Sequence, residues 1–259
     1  MNRPKQMQII QIPCRQDNYA VLIHDDKTNQ TLLFDAPEHD AIAQVLETNG
    51  WQLDHMLITH YHFDHIAGAA SLKAQFGGQI YGPKINAHEL KCLDNPIDES
   101  HSLNLLGIDI KIFDTPGHKD DHICFYLADL KIAIVADVIF SMGCGRILDG
   151  DAAQMYRSIQ KLLTLPADTL FYCGHEYTTA NGEFALSVEP NNADLQARMT
   201  EVKTLRAQNR PTLPTLLSDE LKVNPFLRSN SPEIRQKLNM QSASDEAVFA
   251  KIRSLKDSF

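Results

Sequence analysis

Long apolar runs are absent from this chain of 259 residues. The longest candidate, residues 131–140, is interrupted by Asp137 and is shorter than the roughly 18 residues that a membrane-spanning helix needs. The N-terminal residues alternate between polar and apolar side chains, which is typical of a strand and not of the apolar centre of a signal peptide. We therefore expect no membrane partner and a cytoplasmic location.

Basic residues and cysteines are also few. Lysine and arginine number 24 against 33 acidic residues, a formal net charge of −9, which argues against nucleic acid and anionic membranes as the main partner. The five cysteines form no C-x-x-C pair and are odd in number, so they predict reduced thiols and not a disulfide framework or a zinc knuckle. No exposed apolar stripe stands out, and we expect a monomer.

The order of the apolar patterns predicts an α/β fold. Strands are predicted over residues 7–13, 18–25, 31–36, 53–60, 108–117, 122–129, 131–140 and 169–177. Helices are predicted over residues 37–50, 65–78, 149–166, 185–211 and 242–259. Strands and helices alternate as far as residue 176, which indicates layers of sheet and helix, and only helical patterns follow. We predict an α/β domain over 1–176 and a helical C-terminal domain over 177–259.

The segment THYHFDH concentrates four metal-binding side chains at the end of a predicted strand. His60 and His62 are two residues apart, so in an extended segment both leave the same side of the chain. Asp64 and His65 follow at the turn into the next helix. A catalytic metal site takes at least three protein groups and a water, so this spacing favours two ions that each need further ligands from other strands.

Three later residues can supply those ligands. His118 follows a predicted strand and the turn TPG, where Gly117 lets the backbone approach closely. Asp137 interrupts an apolar strand, where a carboxylate is costly unless it is paired or binds a metal, so we predict that it bridges the two ions. His175 follows another strand and a glycine, and we predict that it completes the second site. His122, which begins a strand, is expected to support the site or the core instead.

With this ligand set, the chain resembles the metallo-β-lactamase superfamily and, within it, the glyoxalase II (hydroxyacylglutathione hydrolase) family. The resemblance covers essentially the whole chain and includes NYAVLI, THYHFDH, TPGH, GCGRILDG, CGHEYT, NPFLR and RSLKD. It implies a four-layer αββα sandwich with a helical C-terminal domain that helps to bind glutathione. It also implies one metal bound by His60, His62 and His118, a second bound by Asp64, His65 and His175, and Asp137 as the bridge between them.

The same resemblance implies that four side chains hold the glutathione part of the substrate: Arg146, Tyr177, Arg253 and Lys256. From the residues alone, Arg253 and Lys256 would be solvated charges in the last turn of a helix, where cations suit the helix dipole. Some relatives carry an aromatic residue two places after the basic residue of the GCG loop, where this chain has Leu148. One contact to glutathione is therefore expected to be missing.

The implied activity is hydrolysis of S-(2-hydroxyacyl)glutathione, with S-D-lactoylglutathione as the expected substrate, in methylglyoxal detoxification. Two divalent ions would lower the pKa of a water that attacks the thioester. Zn²⁺ is the expected ion, with iron or manganese as alternatives. Asp64 and Asp137 are the expected catalytic carboxylates. The leaving thiolate needs little help from a general acid because the pKa of a thiol is only about 8.5. Two other functions stay open: a persulfide dioxygenase with a single iron, and a metal-binding module without activity.

Overall fold

The computed structural model describes residues 7–259, which form two compact units. The first unit contains the chain up to Asp114 together with Asp121–Leu130, and the second contains Thr115–Asp120 and Lys131–Phe259. No helix in the described part of the chain is long and apolar enough to cross a membrane. Residues 1–6, part of the predicted polar and apolar alternation, lie outside the described residues.

The first unit contains a six-stranded mixed sheet. Its strands, in spatial order, are β1 (Met7–Cys14), β2 (Asn18–Asp25), β3 (Gln30–Phe34), β4 (His55–Leu57), β5 (Gln79–Pro83) and β6 (Asn95–Ile97). Strands β1 to β3 pair antiparallel, whereas β3 to β6 pair parallel. Its helices are α1 (Asp40–Asn49), α2 (Phe63–Ile66) and α3 (Ala69–Phe76), with short 3-10 helices at Ala87–Glu89 and Ala128–Leu130. A second antiparallel group contains β7 (Ser102–Leu105), β8 (Ile108–Asp114) and β9 (Ile123–Leu127).

The apolar spacing that predicted α1 has a direct structural counterpart. Ile42 and Leu46 lie one helical turn apart and are fully buried in the core beneath the six-stranded sheet. The helix ends at Gly50, whose φ of 69° is the left-handed conformation that glycine adopts without a steric penalty. The predicted start and stop of this helix are confirmed within a few residues.

The second unit combines short strands with six helices. Its strands are β10 (Ile132–Ala136), β11 (Ile139–Phe140), β12 (Gly143–Cys144), β13 (Leu170–Cys173) and β14 (Thr215–Leu216). Strand β13 pairs parallel with β10 and antiparallel with β14, and β11 and β12 form a hairpin. The helices are α4 (Ala152–Leu162), α5 (Thr178–Val188), α6 (Ala193–Ala207), α7 (Leu217–Val223), α8 (Pro232–Lys237) and α9 (Asp245–Asp257).

The predicted α/β class and helical C-terminal region are confirmed, with local corrections. The helix predicted over 65–78 is divided into α2 and α3, and the helix predicted over 185–211 is interrupted between Val188 and Ala193, where Pro190 lacks a backbone donor. Strand β14 lies in the region predicted to be wholly helical. It was missed because two residues are too few to show a periodic pattern.

Glu189, just after α5, anchors the C-terminal helices. Its carboxylate accepts hydrogen bonds from Arg228 Nε (3.0 Å) and Nη2 (2.8 Å), from the Ser231 hydroxyl and from Asn192 Nδ2 (2.9 Å). Burial raises the pKa of Glu189, but these hydrogen bonds outweigh burial and hold its pKa below the ordinary 4.5. A lowered folded-state pKa means that this stabilisation is complete above the ordinary pKa and is lost as the pH falls through the folded-state value.

We expect Glu189→Gln to lower the free energy of unfolding at neutral pH by about 2–3 kcal/mol, less than for a fully buried pair because Arg228 is partly exposed. Urea unfolding of both proteins measures the difference, which should shrink well below pH 4.5. The matched control is Glu201→Gln, which removes an exposed partner of Arg198 and should change stability little. A difference that persists at acid pH would contradict the assigned role of the ionised carboxylate.

Candidate metal centre and substrate-binding residues

The first group of ligands lies at the carboxyl edge of the six-stranded sheet. Strands β3 and β4 are parallel neighbours, with Phe34 opposite Leu57, so the residues that follow them emerge at the same edge. Asp35 Oδ1 accepts a hydrogen bond from the Thr59 backbone N–H, and Asp35 Oδ2 accepts one from the Thr59 hydroxyl, both at 2.8 Å. The buried Asp35 carboxylate therefore holds the start of the THYHFDH segment against the sheet.

Asp35 also sets the protonation pattern of two histidines. His65 Nδ1 lies 2.8 Å from Asp35 Oδ2, and because a carboxylate only accepts, Nδ1 is the protonated nitrogen. The Thr59 hydroxyl gives its hydrogen to Asp35, so it accepts from His60 Nδ1 at 3.0 Å. Both Nε2 atoms thus carry the lone pair, which is the arrangement that a metal-binding histidine needs.

The other two side chains of the segment lie beside these histidines. His62 Nδ1 is 3.0 Å from His60 Nε2, so two ligand nitrogens converge on one point. Ligand atoms of Asp64 and His65 lie within 4.8 Å of one another. Asn18 Nδ2 donates to the Asp64 carbonyl (3.0 Å) and to Asp64 Oδ2 (3.1 Å), which orients that carboxylate. The four residues predicted from the motif are brought together within the first unit.

His122, predicted to have a supporting role, lies against the same segment. Its ring stacks on that of His60 with centroids 4.8 Å apart, and it is buried. Its Nδ1 lies 4.0 Å from the thiol of Cys124. These contacts are with a predicted ligand and the core of the first unit, as expected for a supporting residue.

The second group of ligands lies in the second unit, again at the ends of two parallel strands. Strand β10 leads into Asp137 and β13 leads through Gly174 into His175, whose positions are linked by the hydrogen bond from Gly174 N to Ala136 O. Asp137 Oδ2 lies 3.3 Å from His175 Nε2 and 3.4 Å from His118 Nε2. Asp137 is only 5% exposed, and its carboxylate faces both imidazoles.

The Arg146 carbonyl and the close packing of Gly117 orient His118. Its Nδ1 donates to the Arg146 carbonyl at 2.8 Å, which leaves the lone pair on Nε2. Gly117 has a φ of 141°, and a Cβ there would lie 2.7 Å from Met155 Cα, so only glycine fits this contact with α4. The close approach predicted for Gly117 is confirmed.

These donor atoms fit divalent metal ions. Three of the histidines have Nδ1 bonded to an oxygen acceptor and therefore carry the lone pair on Nε2, and the other ligand atoms are histidine nitrogens and carboxylate oxygens. Such sets bind zinc and also iron or manganese. The chemistry of the residues therefore agrees with a metal site but does not select the metal.

The predicted substrate-binding residues all belong to the second unit and differ in exposure. The Tyr177 ring is 39% exposed and stacks on the His175 ring with centroids 4.7 Å apart. Burial lowers the pKa of Lys256, and the positive charges of Arg253 and Arg146 lower it further. The repulsion that each arginine exerts on Lys256 favours an anionic ligand at this lysine. Arg253, in contrast to the sequence-based expectation of a solvated charge, is 4% exposed.

Leu148 follows Arg146 by two residues in the sequence, and it is 57% exposed. Its backbone N–H donates to the His118 carbonyl. Its side chain carries no group that could hydrogen-bond a peptide.

Sequence reasoning missed Asp35, Thr59 and Asn18. Asp35 had a recognisable signal, because it directly follows an apolar strand that precedes the motif strand. Thr59 and Asn18 had none, since each acts through a hydrogen bond that only the folded chain forms.

Comparisons with known proteins agree with this geometry. The family model of the metallo-beta-lactamase superfamily matches residues 15–175, and that of the hydroxyacylglutathione hydrolase C-terminus matches residues 176–259. The hydroxyacylglutathione hydrolase of Rhizobium meliloti (strain 1021) is 44% identical, with 95% of this chain and 96% of the relative covered. That of Brucella canis (strain ATCC 23365 / NCTC 10854 / RM-666) is 43% identical, and both chains are covered completely.

Solved structures show the same fold at lower identity. BLEG-1 B3 metallo-beta-lactamase has a TM-score of 0.68 at 22% identity and covers 85% of this chain and all of its own. ETHE1 from Myxococcus xanthus has a TM-score of 0.65 at 23% identity, with 97% and 99% covered. The predicted metallo-β-lactamase fold is confirmed by these structures and by the family model.

Proposed function

Because this chain belongs to the hydroxyacylglutathione hydrolase family of the metallo-β-lactamase superfamily, we propose that it hydrolyses S-(2-hydroxyacyl)glutathione to glutathione and a 2-hydroxy acid. S-D-lactoylglutathione is the proposed substrate, which places the enzyme in methylglyoxal detoxification. The observation that carries this proposal is full-length similarity combined with a set of histidine and aspartate ligands at two sheet edges.

We propose two metal sites. One ion would be held by His60, His62 and His118 and the second by Asp64, His65 and His175, with Asp137 as the proposed ligand of both. The assigned tautomers of His60, His65 and His118 support this set, as does the position of Asp137 beside two imidazoles. We propose Zn²⁺ as the ion, with iron or manganese accepted by the same donors.

The chemistry that two divalent ions would supply there is a lowered pKa of water, toward neutrality, and stabilisation of negative charge on the thioester carbonyl oxygen. Asp64, which Asn18 orients, and Asp137 supply negative charge that would balance the positive charge of the ions. We propose that the cationic side chains Arg146, Arg253 and Lys256, with the partly exposed Tyr177, bind and orient the glutathione part, so that the carbonyl is presented to water. The thiolate departs unaided because a thiol has a pKa of about 8.5.

We propose domains that follow the predicted boundary: a catalytic domain over residues 1–176, which includes Arg146, and a helical domain over residues 177–259 that helps to bind glutathione. The match of the hydroxyacylglutathione hydrolase C-terminus to residues 176–259 supports this boundary. All five cysteines are free thiols, which supports the proposed cytoplasmic location, where thiols stay reduced. We propose a monomer, which size-exclusion chromatography with light scattering tests.

The direct test is the loss of thioester absorbance when purified protein, loaded separately with zinc, iron or manganese, meets S-D-lactoylglutathione. We expect hydrolysis with stoichiometric release of glutathione, and none after the metals are removed by a chelator. Oxygen consumption with glutathione persulfide and no thioester hydrolysis would instead identify a persulfide dioxygenase. Metal binding without either reaction would indicate a module that lacks activity.

A further inference from the structure

The turn between β1 and β2 lies against the THYHFDH segment at two points. The turn contains residues 15–17 and joins Cys14 to Asn18. At its end, Asn18 donates hydrogen bonds to the carbonyl and the carboxylate of Asp64. At its start, the Arg15 guanidinium lies over the Phe63 ring, 5.3 Å from the ring centroid, which is a cation–π contact. The turn therefore contacts two consecutive residues of the ligand segment, Phe63 and Asp64.

Arg15 is held in this position by further contacts of its own. Its φ of 52° is the left-handed conformation, which residues other than glycine seldom adopt. Its backbone N–H donates to Glu38 Oε1 at 2.8 Å, and its Nη1 donates to the Pro37 carbonyl at 3.3 Å. The residue before Pro37, Ala36, donates its N–H to the His65 carbonyl at 2.8 Å. Arg15 is thus anchored to a segment that is itself bonded to helix α2, and these contacts hold its unfavourable backbone conformation in place.

Phe63 presents an exposed aromatic ring beside two proposed metal ligands. It stands between His62 and Asp64 in the sequence, and it is 69% exposed. Phenylalanine is usually buried, so a ring at this exposure adds little to the core. The guanidinium of Arg15 fixes the ring at one face and leaves most of its apolar surface accessible. A substrate whose reacting carbonyl lies at these ligands therefore finds an oriented apolar surface within one residue of them.

The proposed substrate extends from its reacting carbonyl in two directions, through sulfur to glutathione and through carbon to the acyl substituent. The four side chains proposed to bind glutathione belong to the second unit, whereas Phe63 and Arg15 belong to the first. We propose that the Phe63 ring, oriented by Arg15, contacts the acyl substituent and gives the enzyme a preference for 2-hydroxyacyl groups that carry an apolar substituent. This inference rests on the proposed function and names the substrate feature that the first unit recognises.

The test compares two glutathione thioesters on zinc-loaded protein. S-D-mandeloylglutathione carries a phenyl ring on the 2-hydroxyacyl group, and S-glycoloylglutathione carries no substituent there. The measured quantity is the ratio of kcat/KM for the first thioester to kcat/KM for the second. Both values come from one preparation, so differences in metal content or folded fraction cancel. We expect Phe63→Ser to lower this ratio by roughly 3–10-fold because the contact between the two rings is lost, and to leave the inhibition constant of free glutathione unchanged.

Two further variants test the orientation of the ring and its apolar surface. Arg15→Met removes the cation but keeps an unbranched side chain, and it should lower the ratio by about 2–3-fold. Phe63→Leu keeps part of the apolar surface and should lie between Phe63→Ser and the unmodified protein. The matched control is Lys111→Met in β8, where an exposed lysine lies over the Phe113 ring at 4.6 Å. It removes a cation–π contact of the same unit and should leave the ratio unchanged.

Two results would overturn the role of Phe63. An equal loss for both thioesters in Phe63→Ser would show that the residue acts only through the neighbouring ligands, and a raised glutathione inhibition constant would place the ring at the glutathione part. Either result, with S-D-lactoylglutathione still hydrolysed by the unmodified enzyme, leaves the proposed function intact. Failure of the unmodified, zinc-loaded enzyme to hydrolyse any of the three thioesters would overturn the proposed function and this inference together.

Discussion

Asp137→Ala is expected to lower kcat/KM for S-D-lactoylglutathione by roughly 10³-fold or more and to reduce the bound metal from two ions per chain to at most one. Loss of a single group that stabilises a transition state costs about 10²–10³-fold, and here a metal ion is lost as well. The buried carboxylate lies 3.4 and 3.3 Å from the Nε2 atoms of His118 and His175, so its removal takes a negative charge from beside both ligands. Metal analysis and steady-state kinetics on the same preparation measure the two effects together.

Asp219→Ala is the control for this substitution, because Asp219 is an exposed carboxylate of the second unit whose partner is the exposed Lys222. It should leave both metal content and turnover unchanged. Thermal unfolding of the metal-free proteins separates loss of metal from loss of folding. Full activity of Asp137→Ala with one metal per chain would refute the two-metal hypothesis.

The ligands could be predicted from the sequence because each follows an apolar strand. His60, Asp137 and His175 come within three residues of the ends of strands whose apolar patterns are strong, where a buried polar side chain is costly unless it is paired or binds a metal. The pairings of β3 with β4 and of β10 with β13 then place strand ends side by side. The α/β class and the helical C-terminal region follow from the same periodic patterns. Which ligands share one ion came from the family resemblance and remains a proposal.

What could not be predicted depends on contacts between distant segments. Arg253 lies in an amphipathic helix near the chain end, where sequence alone indicates a solvated charge. Its burial results from the carbonyls of Cys144 and Gly145, which are more than 100 residues away. The short strands β5, β6, β7, β12 and β14 were also missed, and β12 and β14, with two residues each, are too short to show a periodic pattern.

Asp35→Asn is expected to weaken zinc binding by about 10–100-fold and to lower the free energy of unfolding by about 1–3 kcal/mol. The carboxylate accepts three hydrogen bonds, from the Thr59 N–H, the Thr59 hydroxyl and His65 Nδ1. An amide has one acceptor oxygen, and its NH₂ group would face at least one of these buried donors. Transfer of the imidazole proton from Nδ1 to Nε2 relieves that conflict but blocks the metal-binding nitrogen. Zinc titration and urea unfolding measure the two effects.

A second substitution, Thr59→Val, should cause a smaller loss of zinc affinity. Valine keeps the shape and the backbone N–H of Thr59 but removes the hydroxyl that links Asp35 to His60. It should weaken zinc binding less than Asp35→Asn, because the hydrogen bond from His65 to Asp35 remains. Asp40→Asn, at the fully exposed start of α1, is the control for the change from carboxylate to amide and should match the unmodified protein. Equal zinc affinity in Asp35→Asn and the unmodified protein would show that Asp35 does not set the tautomers of His60 and His65.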